Sequence, residues 1–186
     1  YENQLFMCPD THEKKEIRIY KCIDFPYSWE FYKTIMKDVS AVDTSIFQHG
    51  DKWWLFTNID NSVVSDHGSQ LQIFHSSNPL TENWAPHESN PVIFDPLIAR
   101  NGGLITENNN VYRIFQRQGF DMYGEGLGIA KINILTSDKY DEKIISEVKA
   151  RFFKNIKGTH TYNFNKGLLV FDYVETSKIN TGTVKK

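Results

Sequence analysis

Three polar side chains recur at one address along this sequence: Asp43 in Asp43-Thr44-Ser45-Ile46-Phe47, Arg100 in Arg100-Asn101-Gly102-Gly103, and His160 in Gly158-Thr159-His160-Thr161. They stand 57 and 60 residues apart, each at the expected start of a strand. Brought together, an acid, a guanidinium and an imidazole form a pocket for a polar, hydroxyl-rich ligand. The acid accepts hydrogen bonds from hydroxyls, and the cation holds phosphate or carboxylate. The same residue types also serve structure, Asp by accepting backbone amides and Arg by crossing to a neighbour's carboxylate. Both roles are open at these positions.

Arg113 and Gln116 interrupt what should be an apolar strand, Val111-Tyr112-Arg113-Ile114-Phe115-Gln116-Arg117, and Arg113 stands where the preceding repeat has Leu55. A charge at a core address is costly unless paired. Pairing with Asp43 is one reading; facing a ligand beside Arg100, Gln116 and His160 is the other. Trp53 and Trp54 are adjacent, so on a strand they face opposite sides and at most one can stack on a sugar. Trp54 is the candidate. Other chemistries lack support. His12, His49, His67, His75, His87 and His160 show no zinc-ligand spacing, and no Gly-x-Ser-x-Gly elbow is present. Tyr123-Gly124-Glu125-Gly126-Leu127-Gly128 lacks the strand-loop-helix context of a phosphate loop, so its glycines should instead let strands approach closely. No metal and no cofactor are expected.

These residues need elements to position them, and the elements repeat. The alternating runs at Glu16–Tyr20, Gln70–Phe74 and Gly126–Ala130 have the period of half-buried strands, with Ile17, Leu71 and Leu127 separated by 54 and 56 residues. A second series, Trp53–Phe56, Val111–Ile114 and Leu168–Phe171, starts 58 and 57 residues apart. Aromatic landmarks at Trp29, Trp84 and Tyr140 precede a further strand in each unit, making about four strands per repeat. That is the pattern of a β-propeller blade. The polar stretch Ser137–Val148 reads as an excursion between strands. The chain is thus all-β, with a blade remnant at 1–10 and repeats at about 11–66, 67–122 and 123–186. Three and a half blades cannot close a ring, so the chain reads as part of a larger propeller.

Composition narrows the partners. Lys and Arg number 21 against 23 Asp and Glu, without the positive surplus that nucleic-acid binding requires. The apolar runs are far shorter than the roughly 18 residues of a membrane span. A hairpin centred on Pro9–Glu13 places Cys22 opposite Leu5 rather than opposite Cys8, so both thiols should be free. With no Asn-x-Ser/Thr sequon either, the cytoplasm is favoured, although no targeting motif sets the compartment.

Several ordered motifs resemble one family. They are Ile17-Arg18-Ile19-Tyr20, Phe25-Pro26-x-x-Trp29, Val42-Asp43-Thr44-Ser45-Ile46-Phe47, Trp53-Trp54-Leu55-Phe56, Asn83-Trp84-x-Pro86-His87-x-x-Asn90-Pro91-Val92, Ala99-Arg100-Asn101-Gly102-Gly103, Tyr112-Arg113-x-x-Gln116 and Tyr123-Gly124. The resemblance is to the propeller domain N-terminal to the glycosyltransferase domain of plant glucosamine inositol phosphorylceramide transferases, also found in bacterial formyltransferase-like proteins. That family is similar in turn to the five-bladed arabinanase, levansucrase and invertase superfold. The resemblance implies a five-bladed propeller that binds a carbohydrate or sugar-nucleotide in its central funnel, with a catalytic domain covalently attached. By the same resemblance Asp43 looks like the auxiliary Asp of family-43 glycosidases, the one catalytic candidate here. The base of those enzymes belongs to a blade outside this sequence, Arg100 has no adjacent carboxylate, and Asp10 stands where relatives tend to have Glu. Two carboxyl groups are normally needed to cleave a glycosidic bond. A family-43-like enzyme completed upstream is the alternative, and a protein-interaction propeller is the second.

Overall fold

The computed structural model describes residues 1–60, 62, 66–119, 124–165 and 167–175. Its strands form successive antiparallel sheets. β1 (Phe6–Met7), β2 (Glu16–Asp24) and β3 (Ser28–Lys37) make the first. β4 (Ser40–His49), β5 (Lys52–Asp60) and β6 (Gln70–Ser76) make the second, whose outer edge is shared by two short strands on β6, β7 (Ala85–Pro86) and β8 (Ile93–Phe94). Between these two, the Asn90 side chain takes the strand's part, accepting from Ile73 N–H at 2.9 Å and donating to its carbonyl at 2.7 Å. The third sheet runs β9 (Asn101–Glu107), β10 (Asn110–Arg117), β11 (Gly126–Leu135) and β12 (Tyr140–Lys149). A last, smaller group pairs β13 (Ile156–Gly158) with β16 (Val174–Glu175) and β14 (Tyr162–Asn165) with β15 (Leu168–Phe171).

The all-β, partial-propeller architecture expected from the repeats is therefore present. Its sheets are phased differently from the repeat units. β1 pairs with β2, so residues 1–10 belong to the same sheet as β2 and β3, and the boundaries near 66 and 122 fall inside blades. The strand expected after Tyr140 is present, but the stretch 137–148 is not an excursion between strands: Tyr140–Lys149 is the single strand β12, paired with β11 from Leu135↔Tyr140 to Gly126↔Lys149. Its alternation is hidden because it is an edge strand exposed over most of its length, and charge on such an edge discourages pairing with other chains. The hairpin at Cys22 is as expected: Cys22 N–H donates to Leu5 C=O at 2.9 Å, and both cysteines are free. Among the described residues the helical element is one 3-10 turn, His12–Lys14, and no helix is long and apolar enough to cross a membrane.

The core lies between sheets, and β5 shows why. Successive side chains of a strand point to opposite faces. Leu55 and Ile59 join Ile17, Ile19, Ile35 and Ala41 against the first blade. Trp54 and Phe56 join Leu71, Ile73, Ala99, Val111 and Ile132 against the third. Each such side chain contributes about 1.5–3 kcal/mol when fully buried, so blade-to-blade contact is what holds the inner strands in register around the site. Glycine permits the closest approaches: a Cβ on Gly128 would lie 1.9 Å from the Phe115 ring, and one on Gly102 would lie 2.7 Å from the His160 carbonyl. The first serves packing within the third blade, and the second brings the last blade against the third at the strand starts. Tyr123 of the Tyr123-Gly124 motif lies outside the described residues.

Candidate functional site

The site begins with a defect in the β4–β5 ladder. Val42 pairs with Asn58 and Ser45 with Phe56, so two residues of β4 oppose one of β5. This β-bulge re-aims a side chain. Asp43, inside it, has φ 52°, in the left-handed region that non-glycine residues rarely occupy. Such a conformation costs on the order of 1–3 kcal/mol and persists only where neighbours hold it. They do so here: Asn101 Nδ2 donates to Asp43 C=O at 2.7 Å and to Ser45 Oγ at 3.0 Å, and Thr57 Oγ1 donates to Val42 C=O at 3.0 Å. β9 bulges at the same address, with Gly102 the extra residue between Asn101↔Phe115 and Gly103↔Ile114.

The bulge points the Asp43 carboxylate at Arg100, whose Nε donates to Oδ2 in a short ion pair. Gln116 Nε2 reaches the same oxygen at 3.4 Å and Asn101 C=O at 3.3 Å. His160 enters from the last blade, with Nδ1 on Asp172 Oδ2, while Asp172 Oδ1 accepts the N–H groups of His160 at 3.0 Å and Thr161 at 2.7 Å. The four side chains are 15% (Arg100), 22% (Asp43), 29% (His160) and 36% (Asp172) exposed, accessible without being free in solvent. Burial raises the Asp43 carboxyl above the usual carboxylate range, and the opposing pull of Arg100 does not cancel it. Asp10 adds to the rise and His160 works against it. At Asp172 burial also pushes upward, but the backbone donors of His160 and Thr161 outweigh it and hold the carboxyl low.

The structure thus brings Asp43, Arg100 and Gln116 into direct contact, with His160 close enough for its charge to act on Asp43. Two residues with expected ligand roles lie elsewhere. Arg113 is fully buried, and its partner is Glu142 rather than Asp43: Nε donates to Oε2 at 2.8 Å, Nη2 to Oε1 at 2.5 Å, and Nη2 also to Ile98 C=O at 2.9 Å. A guanidinium without solvent or ligand access is a structural ion, and the correction comes from β12, which carries Glu142 on a strand where the sequence suggests a loop. Trp54 is 2% exposed in the core between the second and third blades, its Nε1 donating to His49 C=O at 3.2 Å. Neither face of its indole is open to a sugar.

Sequence reasoning misses Asp172, Asn101 and Asn58. Asn58 is buried and bridges blades, donating to Gln70 C=O at 2.7 Å and Ala99 C=O at 3.0 Å and accepting from Asn101 N–H at 2.8 Å. A signal for Asp172 is present: Thr57, Gln116 and Asp172 each follow a phenylalanine on the second strand of a blade. Each then serves the start of its own inner strand, by bonding to Val42 C=O, Asn101 C=O, or the His160 and Thr161 N–H groups. Among the described residues no group of three or more His, Cys, Asp or Glu is placed to hold a metal ion.

Residues 1–178 match the family described as glucosamine inositolphosphorylceramide transferase 1, N-terminal. The proteins of that name from Arabidopsis thaliana and Oryza sativa subsp. japonica are similar to this chain. The first is 31% identical over 166 residues, covering 88% of this chain and 21% of that protein. The second is 34% identical over 145 residues, covering 76% and 19%. The chain therefore spans about a fifth of the length of these relatives. Among solved structures, an α-L-arabinofuranosidase from Clostridium thermocellum superposes with a TM-score of 0.59 at 14% identity, covering 95% of this chain and 61% of that one. An exo-β-1,3-galactanase from Phanerochaete chrysosporium superposes with a TM-score of 0.60 at 10% identity, covering 94% and 41%. At such identities the likeness is one of fold.

Proposed function

Because this chain belongs to the family of glucosamine inositolphosphorylceramide transferase 1 N-terminal domains, we propose that it is a carbohydrate-handling propeller domain within a larger glycan-modifying protein. It binds a sugar or sugar-nucleotide where the inner strands of successive blades begin, at a mouth that a five-bladed ring would enclose. Asp43 accepts hydrogen bonds from ligand hydroxyls, with Arg100 and His160 beside it and Gln116 fixing the carboxylate from behind. One observation carries this reading: Asp43 is held in a strained left-handed bulge that turns its carboxylate toward Arg100 from the neighbouring blade. Strain maintained by neighbours at a partly open polar cluster is typical of functional positions. The short span relative to the family's proteins supports a covalently attached further domain, which this reading takes to be catalytic, of glycosyltransferase or formyltransferase-like type.

Titration of the full-length protein with a panel of glycosides and sugar-nucleotides tests the proposal. Asp43→Ala and Arg100→Ala should each weaken binding at least about tenfold, equal to about 1.4 kcal/mol, in protein whose circular dichroism is unchanged. Unaltered binding in both folded variants overturns it. The glycosidase reading draws on the raised Asp43 carboxyl but needs a second carboxyl group. Turnover of aryl glycosides by the full-length protein, abolished by Asp43→Asn, would establish it.

A further inference from the structure

Resting on the carbohydrate-binding reading and narrowing it from sugar or sugar-nucleotide to the first, we infer that the site selects a neutral, hydroxyl-bearing sugar and rejects phosphorylated, nucleotide-linked or carboxylated ligands. The charges at the strand starts are already matched. Arg100 is paired with Asp43, and His160 with Asp172. A third carboxylate, Asp10, is near enough to act on Asp43 and itself bonds His12 Nδ1 at 2.8 Å. In the two ion pairs, two carboxylates face one guanidinium and one imidazole, so the pairs have no net positive charge even with the imidazole protonated. An anion entering here must share Arg100 with Asp43 or His160 with Asp172. Each of those carboxylates then stays beside it, partly buried, where like charges are poorly screened.

The hydrogen-bonding inventory points the same way. Behind the ion pair, the side chains of Asn101 and Gln116 are fully buried, and both donate through nitrogen, while Asn101 Oδ1 and Gln116 Oε1 receive no donor from the protein. No donor of these two amides is left over for a ligand, and the accessible carboxylates Asp43 and Asp172 make the cluster rich in acceptors. Phosphate and carboxylate ligands bring further acceptors, whereas each sugar hydroxyl brings a donor and can still accept from a cation. The other two guanidiniums of this blade have carboxylate partners of their own, Arg113 being fully buried against Glu142 and Arg117 paired with Glu147.

Isothermal titration of the full-length protein with neutral methyl glycosides, the matching glycuronate, a UDP-sugar and inorganic phosphate separates the outcomes. The expected result is neutral glycoside binding at least about tenfold tighter than any charged counterpart, equivalent to about 1.4 kcal/mol. Asp43→Asn should strengthen phosphate binding severalfold by releasing the Arg100 guanidinium, and Asp172→Asn should do so by removing a carboxylate from beside the entering anion. The second of these leaves the bulge untouched, so loss of fold in the first does not obscure the answer. Equal or tighter binding of the UDP-sugar or glycuronate overturns the inference while leaving the carbohydrate reading standing. Absence of binding by every glycoside and nucleotide overturns both.

Discussion

Replacing Glu142 tests whether Arg113 is a structural ion or part of a ligand site. Arg113 is wholly buried, and Glu142 is its only carboxylate partner among the described residues, with 8% of its side chain exposed and the Tyr140 hydroxyl donating to it as well. Taking Glu142 to Gln or Ala leaves a guanidinium without solvent or counter-ion, and breaking a buried pair in this way costs about 3–5 kcal/mol. For a domain of this size each kcal/mol lowers the melting temperature by roughly 2–4 °C. Glu142→Ala should therefore lower the propeller transition by roughly 6–20 °C in scanning fluorimetry of the full-length protein. The double variant Arg113→Met with Glu142→Leu removes both charges and fills similar volume. It should return to within about 1–2 kcal/mol of the parent, with glycoside affinity unchanged. A single variant costing under about 1 kcal/mol would refute the buried-pair argument. A stable double variant that has lost glycoside binding would return Arg113 to the ligand site.

Gly128→Ala places a methyl group inside the Phe115 ring; overpacking of this kind costs about 1–3 kcal/mol, and Phe115→Leu should recover part of the lost thermal stability. Burial pushes the half-buried Cys8 thiol up to about 12, so at pH 8 its thiolate fraction is roughly one two-thousandth of that of an ordinary cysteine near 8.5. Iodoacetamide followed by peptide mapping should modify Cys8 far more slowly in the native protein than after denaturation, and rapid native labelling would contradict the raised thiol. Asp172 has a native carboxyl held below the ordinary value, so it stabilises the fold above that value and the contribution is lost as pH falls through the native one. Acid unfolding below about pH 4 should be less steep in Asp172→Asn, and identical acid profiles would exclude the linkage.

What the sequence determined by itself was everything carried by local period and repetition. Alternation along Glu16–Tyr20, Gln70–Phe74 and Gly126–Ala130 specified strands, because a pleated backbone puts every second side chain on one face. The spacing of Asp43, Arg100 and His160 put them at equivalent strand starts, because blades repeat. Tertiary structure decided which sheet each strand joined and which partner each charge found. β12 is only partly legible in the sequence, as a strand expected after Tyr140, because an edge strand exposed over most of its length buries too few positions, Tyr140 and Glu142 among them, to print an alternation. Arg113 was paired with Glu142, 29 residues later, because register across β10, β11 and β12 sets which side chains meet, and a one-residue slip would turn every one of them to the other face. The choice between Trp53 and Trp54 was of the same kind: adjacency dictated opposite faces, but only the stacking of the second blade on the third buried Trp54. The left-handed turn at Asp43 is one that aspartate tolerates better than most residues, but local sequence does not place it there. It exists because Asn101, from the next blade, holds its carbonyl, a contact that forms only when the blades assemble.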